Sequence, residues 1–290
     1  MIETMEPAGF RMPKKLNANL SLSGLKLAVI GHQEWVNFLK VDALPKPGLI
    51  SRAERSLEEP AGAGAVVAVQ LARLTNTVVP FFTALGQDDI GEQSVERLHA
   101  LGVECHVAWR EGASRRGISL VDHGGDRAIT VIGERHTPRA DDPLPWEKLN
   151  DCDGVFVSAT NVEGLQQARQ ASVLTATPRL GIDVLNRAQV ELDALIGSRL
   201  DPKEQMDKTT LKPTPKLIIA TEGARGGTAD PGGRYHAVKP QQQPIESYGC
   251  GDSFAAGVTC GLAAGWSVQE SIALGARCGA ECVTRFGPYG

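Results

Sequence analysis

Short apolar runs alternate along this chain with stretches whose apolar residues recur every three or four positions. Leu27-Ala28-Val29-Ile30, closed by Gly31, is the first such run. Others lie at Val78 to Leu85, Gly154 to Val157, Ala171 to Ala176, Leu192 to Ile196 and Leu217 to Ala220. A segment apolar at every position fits a strand buried on both faces, as in a parallel sheet. Between the runs, Val67, Leu71 and Leu74 share one helical face after Gly64, and Val95, Leu98 and Leu101 share another after Gly91. Phe254, Val258 and Leu262 repeat the four-residue step near the C-terminus. Strands alternating with amphipathic helices predict an α/β fold, a doubly wound, mostly parallel sheet with helices on both faces.

Two stretches break the rhythm. Val36 to Pro60 carries Pro45, Pro47 and Pro60 among short alternating pieces, and His106 to Gly133 reads as a meander. Within the second, Arg116 to Val121 and Arg127 to Ile132 flank Asp122-His123-Gly124-Gly125-Asp126, which has hairpin-turn chemistry. Extra strands inside an α/β chain commonly make a lid or an oligomer interface, and residues 36–60 and 106–133 are expected to supply them. Residues 1–25 are polar and aperiodic, the expectation for a loose tail ahead of one domain over 26–290.

Composition narrows the function. The 290 residues carry 34 acidic and 30 basic side chains, a net charge of −4, with no block of one sign. That argues against a nucleic-acid partner, which calls for a basic face. No apolar run approaches the ~20 residues that cross a bilayer, and residues 1–19 lack the apolar core of a secretory signal. Six scattered cysteines do not make a disulfide framework, so a reducing cytoplasm is expected. The 32 glycines are the one skew, and they direct attention to tight turns.

The most informative turn is Tyr248-Gly249-Cys250-Gly251-Asp252-Ser253, which opens the helix containing Phe254. Glycines there let successive N–H groups converge at a helix start, an anion site by both free donors and dipole. Asp252 would stand beside that site as a carboxylate. The same pattern alone also fits a plain helix cap. Gly62-Ala63-Gly64 opens another helix. It fails as a dinucleotide fingerprint because Val67 occupies the third glycine position and no buried strand precedes it. Either close helix packing or approach to a polar ligand accounts for these glycines. Thr221-Glu222-Gly223-Ala224-Arg225-Gly226 follows a strand and suits either a nucleotide-contact loop or a simple turn. Cys278 and Cys282 lack companions at metal-ligand spacing, and His32 and His123 sit in loops without evident partners.

Taken in order, these segments resemble the PfkB/ribokinase family of carbohydrate kinases. The likeness rests on Pro60 to Ala65 with Leu71-Ala72-Arg73-Leu74, on Gly86-Gln87-Asp88-Asp89-Ile90-Gly91, on Gly223 to Gly226, and on Gly249-Cys250-Gly251-Asp252. It implies a ribokinase-like fold with a β-sheet lid, ATP and Mg²⁺ as cofactors, and transfer of phosphate to a hydroxyl of a sugar or nucleoside. By match, Asp252 would be the general base, and Gly249, Cys250 and Gly251 the anion hole. Gly62 and Gly64 would line the substrate pocket, and Thr221, Gly223 and Gly226 the nucleotide side. A homodimer through the lid strands is expected. The sequence departs from the family at two substrate positions, where Val66 replaces an Asn and Val36 an Asp. Glu34 or Asn37 would substitute. The Asn/Glu motif that organises Mg²⁺ is replaced by Ser198 and Asp201, with Ala188 and Glu191 as a rival placement. These departures leave a second reading, a weakly active or non-catalytic ligand-binding protein on the same fold. A dinucleotide-dependent oxidoreductase rests on Gly62-x-Gly64 alone.

Overall fold

The computed structural model describes residues 21–290 apart from Leu49 and Asp126, so most of the expected tail lies outside the described residues. The chain opens with β1 (Leu27–Ile30), β2 (Glu34–Val41) and β3 (Ala53–Ala61), then α1 (Ala63–Thr75), β4 (Val79–Gly86) and α2 (Asp89–Ala100). Next come β5 (Val103–Arg110), β6 (Arg116–Val121), β7 (Arg127–Ile132), β8 (Gly154–Val157), α3 (Val162–Ala168), β9 (Val173–Ala176) and α4 (Ile182–Ala188). The last elements are β10 (Ala194–Ser198), β11 (Ile218–Thr221), β12 (Gly227–Asp230), β13 (Gly233–Tyr235), α5 (Cys250–Ala263) and α6 (Val268–Cys282).

Among the described residues, nine strands form one sheet in the order β13-β12-β11-β10-β9-β8-β1-β4-β5. Every pairing from β11 to β5 is parallel, and β12 and β13 close the far edge antiparallel. Alternation along β1 shows why its run had to be apolar throughout. Leu27 and Val29 enter a core with α1, α5 and α6, while Ala28 and Ile30 enter a second core with α3 and α4. The doubly wound α/β architecture therefore follows from strands with no solvent face.

The second sheet has the order β3-β2-β6-β7. It draws on both irregular stretches, with one correction. Residues 106–110 are not part of it. They belong to β5, which pairs in parallel with β4 along its whole length as the edge of the large sheet. An edge strand is half-solvated, so Val103 to Arg110 alternates as a small-sheet strand would.

Small residues let α5 pack closely on two sides. A Cβ on Gly257 would lie 2.6 Å from Gly275 Cα, so this glycine lets α5 approach α6. Approach to the sheet comes further on, where Thr259 shares a 2.7 Å hydrogen bond with Thr175 and a Cβ on Gly154 would meet Ala263.

Candidate active site

The start of α5 stands at the C-terminal ends of the parallel strands, where open α/β sheets bind ligands. Gly249 takes a left-handed φ of 76° and its carbonyl accepts the Ser253 amide at 2.8 Å. The amides of Gly251 and Asp252 find no backbone acceptor among the described residues. Gly251 is exposed, and a Cβ placed there would meet nothing within 4 Å. Two donors without a backbone acceptor thus lie at the positive end of a helix, beside an open position at Gly251. Asp252 sits beside them. Burial, and then the nearby Glu204, raise its carboxyl to about 6, against the opposing pull of Arg179 and Arg127. The neighbouring Cys250 thiol donates to the Glu246 carbonyl at 4.0 Å, and the adjacent Cys282 thiol, then burial, hold it protonated. Cys282 is tied in turn to the Tyr248 carbonyl at 3.3 Å.

The wall facing Asp252 comes from β2 and the small sheet. Glu34 is buried, accepts from Arg115 Nε at 2.8 Å and receives the Tyr248 hydroxyl at 3.4 Å. That hydroxyl accepts the Gly62 amide at 3.1 Å, linking the start of α1 to the start of β2. The Arg127 guanidinium lies 5.7 Å from the centre of the Tyr248 ring. Deeper, His32 and Ser158 follow β1 and β8. Arg135 Nη2 reaches both His32 Nδ1 and the Ser158 carbonyl at 2.9 Å. His32 is therefore not the unpartnered loop histidine the sequence suggested. His123 is not unpartnered either, since it meets Glu54 at 3.0 Å.

The other side is formed by the ends of β10 and β11, where Ser198 and Thr221 are register partners. Ser198 donates its amide to Glu204 Oε2 at 2.8 Å. Arg179, just beyond β9, bonds Glu204 and also reaches Asp201 at 2.5 Å. Gly223 and Gly226 follow with φ of 60° and 85°. Gly226 admits no side chain, because a Cβ would lie 2.1 Å from the Tyr235 carbonyl oxygen.

Several expected residues are thus drawn into two groups. Glu34 and Gly62 meet at Tyr248, next to Gly249, Cys250, Gly251 and Asp252. Ser198 and Asp201 gather at Arg179 and Glu204, which act on the Asp252 carboxyl, with Thr221, Gly223 and Gly226 following at the end of β11. Others stand apart. Asn37 shares a strand face with Trp35, opposite the Glu34, Val36 and Phe38 face that reaches Tyr248. A Cβ on Gly64 would fall 2.8 Å from the His32 carbonyl and 2.7 Å from Phe81, so packing of α1 already requires this glycine. Val36 and Val66 are fully buried and present no polar group. Glu191 pairs with Lys216 at 3.5 Å. Asp88 accepts from Gly91 N and Ser114 N at 2.8 and 2.7 Å, making its passage a structural corner. Sequence reasoning did not find Tyr248, Arg115, Arg127, Arg135, Arg179 or Glu204 as site residues.

The comparison with known proteins decides the family. The pfkB family carbohydrate kinase profile matches residues 25–184 and 169–290. The chain belongs to this family. It is 33% identical over 219 residues to the fructoselysine 6-kinase of Shigella flexneri, covering 71% of this chain and 83% of that one. The ribokinase of Thermotoga maritima superposes with a TM-score of 0.69 at 20% identity, over 91% of this chain and 95% of the other. Arabidopsis thaliana ribokinase, solved with ribose and ATP, gives a TM-score of 0.70 at 18% identity, over 91% and 94%. This pfkB-family chain is a carbohydrate kinase with the ribokinase fold. Among its described residues no helix is long and apolar enough to cross a membrane.

Proposed function

We propose that this kinase transfers the terminal phosphoryl group of ATP to a hydroxyl of a sugar or related small molecule, nucleosides included, with Asp252 as general base. The observation that carries this is the Asp252 carboxyl in the first turn of α5, beside the free amides of Gly251 and Asp252. Phosphoryl transfer needs an aligned hydroxyl, a proton acceptor and donors for charge spreading over the transferred group. Asp252 supplies the acceptor and the helix start the donors, with Gly249 and Cys250 shaping the turn. Glu34 and the Gly62 backbone are placed to hold the acceptor molecule. Ser198, Thr221, Gly223 and Gly226 stand on the nucleotide side. The named substrates of the relatives, fructoselysine in one and ribose with ATP in another, support a sugar acceptor and ATP as donor.

Mg²⁺ enters such a reaction with the nucleotide, held by oxygen ligands and water. Asp201 and Glu204, gathered around Arg179, are hard oxygen donors of that type and would receive it. When bound, it neutralises phosphate charge. The test is a panel of sugars and nucleosides offered with ATP and Mg²⁺. Phosphate transfer to at least one is expected, and nucleotide binding without turnover on any would overturn the proposal. A binding-only role has no specific observation in its favour.

We also propose that residues 26–290 act as one domain, with the small sheet closing over the acceptor, and that two copies associate through that sheet. Every residue of β7 is exposed, with Ile129, Val131 and Ile132 at 42, 46 and 41%, along an unpaired strand edge. Such edges are normally paired or covered. Light scattering at micromolar concentration should give a dimer mass that falls to monomer on Val131→Lys, and a monomeric wild type would remove this proposal. All six cysteines are free thiols, which suits a reducing cytoplasm.

A further inference from the structure

Around His32 the site holds an arginine that no carboxylate pairs among the described residues. Arg115, Arg135 and Arg179 surround His32, and their charge adds to burial in keeping the imidazole neutral. Neutral His32 accepts from Arg135 on Nδ1, which leaves the proton on Nε2, the side facing Gly62. Two of the three arginines have carboxylate partners. Arg115 is paired with Glu34, and Arg179 with Asp201 and Glu204. Arg135 has none among the described residues. Its contacts are the ring nitrogen of His32 and the carbonyl of Ser158.

Arg135 is also incompletely satisfied. Its Nε is buried without a hydrogen-bond partner, and so is the hydroxyl of the fully buried Ser158. Burial and the neighbouring Arg115 and Arg179 lower the guanidinium to about 10. A half-buried cation near two others, with a buried and idle Nε donor, is suited to an anion. It stands where β1 and β8 adjoin. From β1 the chain winds toward β4 on one side and toward β8 on the other, the switch point at which α/β sheets take ligands.

We infer that the acceptor is a sugar carrying an oxyanion, a carboxylate or a phosphate, that Arg135 receives while the hydroxyl to be phosphorylated lies toward Asp252. This rests on the kinase reading above and names its substrate class. A guanidinium fork matches either oxyanion through paired N–H···O bonds.

The test separates binding from turnover. Isothermal titration compares wild type and Arg135→Gln against gluconate and galacturonate, against fructose 1-phosphate and fructose 6-phosphate, and against the neutral parents glucose, galactose and fructose. Wild type should bind at least one oxyanionic sugar about 10- to 100-fold more tightly than its neutral parent, the worth of one or two charge-assisted hydrogen bonds. The sugar acids and the phosphates, as separate arms, show which oxyanion is used. Arg135→Gln should erase the preference, and Arg135→Lys, which keeps the charge without the fork, should retain part of it. ATP titration of each variant reports folding, and if the Gln variant fails to fold the Lys variant carries the test. Neutral sugars binding as tightly as their acids, no binding by any oxyanionic sugar, or a preference unchanged in the variants would overturn the inference. Absence of phosphate transfer alongside selective binding would instead count against the kinase reading alone.

Discussion

Asp252→Asn is expected to lower kcat by about 10²–10⁴, the usual worth of a positioned base, while ATP affinity changes little. The substitution keeps size and hydrogen-bonding reach and removes only the capacity to take a proton. The carboxyl is raised to about 6 by burial, reinforced by Glu204. Only the ionised form accepts a proton, so kcat/KM should fall as pH drops through about 6 and level off above it. Two variants give the sign. Removing the Glu204 charge with Glu204→Gln takes away a repulsion that raises Asp252, so the acid limb should move to lower pH. Removing Arg179, which opposes that rise, should move it to higher pH. Near-wild-type turnover in Asp252→Asn, or an acid limb indifferent to Glu204, would take the base assignment away from this residue.

The fold was legible because its decisive signals are local. A central parallel strand has no solvent face, so Leu27 to Ile30 and Gly154 to Val157 declare themselves by unbroken apolar character. The start of α5 was legible for the same reason, since Gly249 to Asp252 is one turn of chain. The edge strand β5 was not, because half-exposure gives it the alternation of a small-sheet strand. Gly102 at the end of α2, followed at once by β5, was the available signal, a helix-to-strand return in the rhythm of the main sheet. The rest of the site had no local signal at all. Arg115 precedes β6, Arg127 opens β7, Arg135 follows it, Arg179 follows β9 and Glu204 lies beyond β10. In sequence each is an ordinary surface charge. Only the crossovers that bring strand ends to one edge of the sheet make them neighbours. Position in a motif also did not reveal function by itself. Gly64 is fixed by the approach of Phe81, and Asp88 by the corner it caps.

The two glycines flanking Cys250 should separate stability from catalysis. Gly249 has a φ of 76°, and a Cβ would come within 3.1 Å of Val66 Cγ1 and 3.3 Å of Pro288 Cβ. Gly249→Ala therefore combines left-handed strain, about 1–2 kcal/mol, with a clash against buried neighbours that adds to it. At about 2–4 °C per kcal/mol for a chain somewhat shorter than this, Tm should fall by several degrees. Turnover should fall as well, because the turn that aims the free amides is displaced. Gly251 is the opposite case. Its φ is not left-handed, and an added methyl meets nothing within 4 Å. Gly251→Ala should leave Tm within about 1 °C, since exposed substitutions away from special features rarely exceed ~0.5 kcal/mol. The methyl does, however, enter the space in front of the free amides, where the transferred phosphoryl group would sit. Misplacement there by about 1 Å costs on the order of 10²-fold, so kcat should drop by that order at unchanged stability. Thermal unfolding and steady-state kinetics on the pair check both claims. A Gly251→Ala enzyme with wild-type kcat would mean that phosphate does not approach this helix start, whatever Asp252 does.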